Sequence, residues 1–274
     1  MPQKGEKMEG FKKRLWDGDA PGHQEGFEVP YINYYPAPER KTRASVITFA
    51  GGGYRTRAAY ECIGYRELLN AQGMDVFDVD YRVKPTYFPY PLLDARRAVR
   101  FVRAHAEELG LDPNRIAVMG SSAGGHLAAL VSSYRGEISG EGVDELDNVD
   151  YIPNAQILCY PVLDIDGHPG SFENLIGSLS LTHKKVTPRY IADKTVPPAF
   201  IWHTETDPCV DVTNTLRYGI KLHELGVSYE MHIYPLGGHG LGVGNHPERN
   251  IVEPYIQSWT GNLIAWLKLK GWLE

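Results

Sequence analysis

The chain has 274 residues, 42% of them hydrophobic. That length suffices for one large domain with a full core and does not demand a second. The formal net charge of −6 at pH 7 argues against nucleic acid or an anionic membrane surface as the main partner. No apolar run reaches the length of about eighteen residues that a membrane-spanning helix needs.

Cysteine usage and the first residues bear on location. Cys62, Cys159 and Cys209 are scattered and form no C-x-x-C pair. This is typical of reduced thiols, and we expect no disulfide and no zinc site. Residues 1–7 are charged and lack the apolar stretch of an export signal. The expectation is therefore a cytoplasmic protein.

Residues 1–43 are rich in proline, glycine and charge, with aromatic residues between them. We predict an irregular arm with one or two edge strands, held by its aromatic side chains on a main domain of residues 44–274. Arm and main domain are expected to form a single domain overall.

Beyond residue 43, short apolar segments alternate with amphipathic ones. Strands are expected at 44–49, 74–80, 115–119, 155–160, 199–203 and 228–234. Helices are expected at 57–72, 91–110, 125–131, 212–225 and 253–269. The alternation predicts an α/β fold, a mostly parallel sheet with helices on both faces. The acidic stretch 135–150 is expected to be a solvated loop.

A G-x-S-x-G pattern, Gly120-Ser121-Ser122-Ala123-Gly124, lies between the strand 115–119 and the next helix. In that position it predicts a nucleophile elbow, which holds Ser122 on a strained corner with its hydroxyl exposed. Glycine fits at 120 and 124 because a side chain there would clash with the neighbouring strand or helix. The alternative is a glycine–serine loop that merely joins two elements.

A serine nucleophile needs a base, and the base needs a carboxylate that fixes its tautomer. In this architecture the acid precedes the histidine, and both lie at the carboxyl ends of strands. Asp207 follows the strand 199–203, and Pro208 favours a fixed turn after it. Glu205 and Asp211 compete with Asp207, and Asp211 equally suits the N-cap of the next helix. More distant competitors are Asp164 and Asp166.

The expected base is His239, which follows the strand 228–234 in the glycine-rich loop 237–240. Glycines let this loop bring an imidazole close to another backbone. His126, His203 and His232 are expected within or at the ends of elements, as packed or hydrogen-bonded core residues. His246 is the rival, as a candidate on an exposed loop.

Oxyanion donors are expected from two places. One is the backbone N–H of Ala123, the residue after the nucleophile. The others are the amides of Gly52 and Gly53 in the loop Ala50-Gly51-Gly52-Gly53-Tyr54, which follows an early strand. The alternative for this loop is a flexible tight turn.

Several other polar groups are expected to have structural roles. Asp80-Tyr81-Arg82 is interpreted as an ion pair or loop brace, and Asp94 as an acid at the positive end of its helix. Cys209 has no second base beside it. The sequence holds no metalloprotease, P-loop or dinucleotide motif, and the reaction is expected to need no cofactor and no metal.

Taken together, these motifs resemble the α/β-hydrolase esterases of the acetyl-xylan-esterase-like and feruloyl-esterase-like group, related to the hormone-sensitive-lipase branch. The likeness runs from about residue 15 almost to the end and includes Asp80-Tyr-Arg82, Asp112-Pro-Asn-Arg-Ile116 and Pro197-Pro-Ala-Phe200. It implies a triad of Ser122, Asp207 and His239. It also implies an oxyanion hole of Gly52, Gly53 and Ala123.

The resemblance implies a cofactor-free serine carboxylesterase that prefers acetyl and other short acyl groups, sometimes on sugars or xylo-oligosaccharides. Ala50 departs from related lipases, which often have histidine there, and no large cap domain is expected. The alternatives are an arylformamidase or small peptidase on the same fold, and a non-catalytic ligand-binding homologue. The expected partner is a small-molecule ester, and a homo-oligomer is compatible with the sequence. The sequence does not decide whether the segments 135–150 and 164–196 cover the active site.

Overall fold

The computed structural model of the protein describes residues 9–177 and 181–274. The strands of its main sheet are β1 (Phe11–Arg14), β2 (Tyr31–Tyr35), β3 (Ser45–Phe49), β4 (Asp75–Asp80), β5 (Ile116–Ser121), β6 (Ala155–Cys159), β7 (Ala199–Thr204) and β8 (Tyr229–Tyr234). A small hairpin is formed by β9 (Asn245–His246) and β10 (Ile251–Val252). The helices are α1 (Ala59–Ala71), α2 (Tyr90–Ala104), α3 (Ser122–Ser133), α4 (Pro169–Ile176), α5 (Pro188–Ile191), α6 (Val212–Glu224) and α7 (Pro254–Leu269).

The main sheet has the strand order β1-β2-β4-β3-β5-β6-β7-β8. Strands β3 to β8 run parallel, whereas β1 and β2 are antiparallel to their neighbours. The predicted α/β-hydrolase fold is confirmed, with strand boundaries within a residue or two of those expected. The parallel strands carry their carboxyl ends to one edge of the sheet, where loops from several strands can meet.

Side chains alternate across the sheet and build one core on each face. On β3, Ile47 and Phe49 belong to the core that contains α2 and α3, and Val46 belongs to the core that contains α1 and α7. Every residue of α3 is buried. A helix enclosed on all sides needs side chains that are small, apolar or hydrogen-bonded inside the protein, and α3 reads SAGGHLAALVSS, with His126 bonded to Tyr54 and Val186.

Helix α2 ends at Ala104, six residues before the predicted stop at Gly110. Residues 105–110 continue as turns, closed by a hydrogen bond from the N–H of Leu111 to the carbonyl of Ala106 at 2.7 Å. Helix α3 begins at Ser122, three residues earlier than predicted, because the elbow serine is itself in the first turn. No helix in the described ranges is long and apolar enough to cross a membrane.

The N-terminal segment is part of the sheet. Strand β2 pairs with β4, and β1 pairs with β2 at the outer edge. Trp16 is buried between the guanidinium groups of Arg82 and Arg97, and Arg97 donates to the carbonyl of Leu15 at 2.8 Å. The aromatic and backbone groups of this segment are thereby joined to α2.

Arg82 is a brace, in agreement with its structural interpretation. Its guanidinium makes a two-pronged, fully buried ion pair with Asp94, and its backbone N–H donates to the same carboxylate at 2.8 Å. Asp94 was expected to interact with the positive end of α2, and the structure shows that its carboxylate instead binds Arg82. The pair ties the chain after β4 to α2.

The acidic stretch 135–150 differs from the expected solvated loop. Glu141 pairs with Arg96 and Arg100, and Asp144 pairs with Arg97, all three arginines being buried on α2. Burying a guanidinium is unfavourable unless a carboxylate compensates it, so these acids complete the outer surface of α2.

Candidate active site

The elbow joins β5 to α3 with the geometry that its motif predicts. Ser122 has a φ of +52°, a left-handed value that side chains rarely adopt. A Cβ atom placed on Gly120 would lie 2.1 Å from the carbonyl oxygen of Gly124. One placed on Gly124 would lie 2.1 Å from that of Phe49, at the end of β3. Both contacts are to backbone, so only glycine fits.

Three loops from the carboxyl ends of β5, β7 and β8 meet at this corner. Nε2 of His239 lies 2.8 Å from Oγ of Ser122, and Nδ1 of His239 lies 2.6 Å from Oδ2 of Asp207. Because an ionised carboxylate only accepts, Nδ1 carries the proton and Nε2 offers its lone pair to the serine hydroxyl. The structure thus brings together the three residues proposed from the sequence as a triad.

Asp207 is held by four donors. Its Oδ1 accepts the backbone N–H groups of Cys209 at 2.8 Å and Val210 at 3.0 Å. Its Oδ2 accepts from both His239 and Nε2 of His203, the latter at 3.2 Å. Burial raises the pKa of the Asp207 carboxyl, but the hydrogen bonds from His203 and His239 outweigh it and hold that pKa well below its usual range. The acid therefore stays ionised.

The competing acids are engaged elsewhere. Asp211 caps α6 by accepting the N–H of Thr213 at 2.7 Å. Glu205 is exposed, Asp164 is buried against Arg189, and Asp166 pairs with Arg217 on the surface. None of these four carboxylates has a described hydrogen bond to His239.

The other histidines fall into two groups. His126 and His203 are fully buried and hydrogen-bonded, as expected of core residues, and His232 on β8 bonds to Glu230. The expectation of an exposed His246 is wrong: it lies in β9 with 7% exposure, and its ring meets that of Tyr60 edge-on at 5.1 Å. In the hairpin, His246 pairs with Ile251 of β10, and its side chain is buried.

His203 is a partner of the site that sequence reasoning missed. It was expected only as a packed residue at the end of β7. Its Nδ1 accepts from the hydroxyl of Thr215 at 2.8 Å, which leaves the proton on Nε2 for Asp207. The available signal was the spacing, since His203 and Asp207 are four residues apart across one strand end.

The glycine loop lies beside the serine. A Cβ atom placed on Gly51 would be 3.2 Å from Cβ of Ser122. Gly52 and Gly53 have φ values of +130° and +62°, and within the described residues no backbone hydrogen bond uses their N–H groups. The N–H of Ala123 is in the first turn of α3, where amides have no partner within the helix. The amides expected as oxyanion donors thus have no backbone partner among the described residues, and their role as donors stays a prediction.

Helix α4 flanks this loop. Nδ2 of Asn174 donates to the carbonyl of Gly53 at 2.9 Å. At the start of the helix, His168 accepts the N–H of Ser171 on Nδ1 at 3.0 Å. Burial, with the charge of His239, lowers the pKa of His168. Part of the segment 164–196 therefore borders the site.

The three cysteines are free, with Cys62 and Cys159 buried and Cys209 exposed. In residues 9–177 and 181–274, no group of three histidine, cysteine or acidic side chains is arranged to hold a metal ion.

Comparisons with known proteins give consistent matches. A family model described as BD-FAE matches residues 33–222. Endo-1,4-beta-xylanase B of Butyrivibrio fibrisolvens is 27% identical over 92% of this chain. Acetylxylan esterase of Xylanibacter ruminicola is 30% identical over 76% of it. The chain spans 40% and 43% of the length of these two proteins.

Among solved structures, the acetyl ester-xyloside bifunctional hydrolase from Caldicellulosiruptor lactoaceticus superposes with a TM-score of 0.88. The two chains are 35% identical, and the match covers 96% of this chain and 97% of the other. Close agreement over nearly the whole length of both chains extends the likeness from the catalytic motifs to the complete domain.

Proposed function

The chain belongs to the BD-FAE family of α/β-hydrolases, and from this membership and the site geometry we propose that it is a serine carboxylesterase. The observation that carries the proposal is the continuous line from Ser122 through His239 to Asp207, with both hydrogen bonds between 2.6 and 2.8 Å. Such a line activates an alcohol that would otherwise be a poor nucleophile.

In the first half of the reaction, Oγ of Ser122 attacks the ester carbonyl while Nε2 of His239 takes its proton. Asp207 stabilises the imidazolium that forms and keeps it oriented. The tetrahedral intermediate then collapses, the bond to the alcohol oxygen breaks, and His239 returns the proton to the leaving alcohol. The products of this half are an alcohol and an acyl-enzyme.

The negative charge of the intermediate is received by the amides of Gly52, Gly53 and Ala123. The amide of Ala123 lies at the N-terminus of α3, where the positive end of the helix dipole also favours an anion. In the second half, water gives its proton to His239 and attacks the acyl-enzyme. Collapse of that second intermediate releases the acid and restores Ser122, and no cofactor enters either half.

For the substrate we propose short acyl esters, acetyl above all, carried by sugars or xylo-oligosaccharides. Support comes from the relatives, one named an acetylxylan esterase and another an acetyl ester-xyloside hydrolase. Rates should fall along a series of p-nitrophenyl esters from acetate to long acyl chains, and acetylated xylo-oligosaccharides should be hydrolysed. Faster turnover of N-formylkynurenine or of a peptide would instead indicate the arylformamidase or peptidase alternative.

Replacing Ser122 with Ala tests the chemistry. We expect turnover of p-nitrophenyl acetate to fall by roughly 10⁴ to 10⁶ with an unchanged melting temperature, because the nucleophile is lost and the fold is kept. Ser132→Ala is the matched control, since Ser132 is a buried serine on the same helix whose hydroxyl donates to the carbonyl of Ala128 at 2.7 Å. Near-normal hydrolysis by purified Ser122→Ala would contradict the proposal.

A further inference from the structure

Glu61 is a buried carboxylate that the proposed reaction does not use. It lies in the first turn of α1 with 2% exposure. Its Oε2 accepts the N–H of Gly51 at 2.7 Å, and its Oε1 accepts the hydroxyl of Tyr160 at 2.7 Å. One side chain therefore bonds to the glycine loop and to the residue that follows β6.

Tyr160 extends the connection to the histidine loop. Its hydroxyl accepts the N–H of Gly242 at 2.9 Å, three residues after His239. Its ring meets the His239 ring edge-on, with centroids 5.1 Å apart. The backbone of Tyr160 has a φ of +35°, a value that a tyrosine adopts only where its surroundings hold it.

Gly51 lies close to both the carboxylate and the nucleophile. A Cβ atom on Gly51 would lie 2.8 Å from Oε2 of Glu61 and 3.2 Å from Cβ of Ser122. The space between these two residues and Gly51 therefore admits no side chain at this position. Movement of Glu61 would move the start of the loop whose amides face the reacting carbonyl.

We propose that Glu61 is a positioning residue: through Gly51 it sets the oxyanion loop, and through Tyr160 it sets the loop that carries His239. This inference rests on the proposed esterase function. Glu61 bonds directly to the glycine loop and, through the Tyr160 hydroxyl, to the histidine loop, and it thereby sets how far the oxyanion donors lie from the base.

Electrostatics agree with this role. Burial raises the pKa of Glu61, so an ionised carboxylate at this position lowers the stability of the fold. The hydrogen bonds from Tyr160 and Gly51 act in the opposite direction and lower that pKa, as does the positive charge that His239 carries once it is protonated. The same attraction helps to stabilise the imidazolium that forms on His239 during the reaction. A group that is unfavourable for folding and favourable for the reaction fits a role in function.

The test is Glu61→Gln, which keeps the shape of the side chain and removes its charge. We expect kcat for p-nitrophenyl acetate to fall by about 10- to 100-fold while KM changes little, because the lost interaction acts on the transition state. The inhibition constant of a trifluoromethyl ketone, which forms a tetrahedral adduct on the serine, should rise by a similar factor. Tyr160→Phe should show a smaller loss of the same kind.

A control lies at the amino-terminal end of β4, away from the site. Asp75 is fully buried and accepts a backbone N–H, that of Ala37 at 2.9 Å, and a tyrosine hydroxyl, that of Tyr34 at 2.5 Å, and it also pairs with Arg40. Asp75→Asn and Tyr34→Phe therefore remove or weaken bonds of the same kind, and Asp75→Asn additionally weakens that ion pair. Their kcat and inhibition constants should stay within about two-fold of wild type for the folded fraction.

Unchanged kcat and inhibitor affinity in Glu61→Gln would overturn the inference. So would a loss that Asp75→Asn matches in step with a lower melting temperature, because that pattern indicates structure alone. A wild-type protein without esterase activity would overturn the proposed function and this inference with it. An active wild type with an unaffected Glu61→Gln variant overturns the inference alone.

Discussion

Two imidazoles share one carboxylate oxygen in this site. His239 and His203 both point at Oδ2 of Asp207, from 2.6 and 3.2 Å. His203 is itself fixed by Thr215, so the carboxylate is held from the side of the sheet as well as by the loop amides. A carboxylate held in this way presents one defined oxygen to the catalytic base.

His203→Gln should lower kcat by about 10-fold, with KM nearly unchanged, because loss of an outer hydrogen-bond partner disturbs the orientation of Asp207. Steady-state kinetics on p-nitrophenyl acetate measure this. His232→Gln is the matched control, since His232 lies on the neighbouring strand β8 and bonds to Glu230. A wild-type kcat in His203→Gln would assign His203 to packing alone.

The three reacting residues could be predicted from the sequence because their chemistry restricts both type and order. Ser122 stands in a motif, and His239 and Asp207 follow apolar strands. Glu61 carries no such mark and His203 has only its four-residue spacing from Asp207, because the roles of both depend on which side chains the fold brings to them. For His246 the prediction was wrong: its surrounding sequence is typical of an exposed loop, but its side chain is buried.

At the scale of elements, His126 joins three parts of the molecule. It lies on α3, accepts the hydroxyl of Tyr54 from the glycine loop on Nδ1, and donates from Nε2 to the carbonyl of Val186, each at 2.7 Å. Burial lowers its pKa to about 4, although the bond to Val186 opposes that shift. The folded protein therefore holds this imidazole neutral.

Because the folded state binds this proton less readily than the unfolded state, the neutral imidazole stabilises the fold above pH 6.5. That stability should be lost as the pH falls from 6.5 towards 4, by roughly 3 kcal/mol at most. Urea denaturation at pH 7 and pH 4.5 measures the loss. His126→Gln should have a weaker pH dependence between these points, and an identical slope in both proteins would contradict this account.

Hydrophobic periodicity predicted most boundaries of the strands β3 to β8 and of the long helices, whereas it gave no indication of the short helices α4 and α5 or of the hairpin β9–β10. The structure of the acidic stretch 135–150 could not be predicted either. Its charges suggested a solvated loop, but Glu141 and Asp144 pair with Arg96, Arg97 and Arg100, which are buried on α2. Pairing between distant charges leaves no local pattern in either segment.

At the scale of the whole molecule, the N-terminal strands form one edge of the sheet, and the C-terminal segment bonds to residues that lie just before β3 and β5. Ile32 on β2 is fully buried. The hydroxyl of Thr42 donates to the carbonyl of Trp272 at 2.7 Å, and Arg115 donates to that of Gly271 at 2.9 Å. The edge strands and the C-terminal segment thus share contacts with the central sheet.

We expect a single unfolding transition in which residues 9–43 unfold with the rest. Ile32→Ala should lower stability by about 2 to 5 kcal/mol and shift the whole transition, because a buried isoleucine leaves a cavity. Calorimetry, tryptophan fluorescence and far-UV circular dichroism measure this transition, and all three should report the same midpoint. Two separated transitions in Ile32→Ala would mean that this segment is an independent unit.

The fold class followed from the alternation of strands and helices, and the sequence indicated edge strands in residues 1–43. Their exact pairing did not follow. Strand β2 pairs with β4, β1 pairs with β2 at the outer edge, and Trp16 after β1 packs on Arg97 of α2. Sequence patterns predict which segments are strands, and the contacts between distant segments decide their neighbours.

The central claim is that Ser122 is the activated nucleophile, and covalent labelling tests it most directly. After incubation with a fluorophosphonate, intact-mass measurement should show one adduct per wild-type chain, mapped by peptide analysis to Ser122. The heat-unfolded protein and Ser122→Ala should stay unlabelled. Equal labelling of Ser122→Ala, or an adduct on another residue in a protein that hydrolyses esters, would contradict the claim.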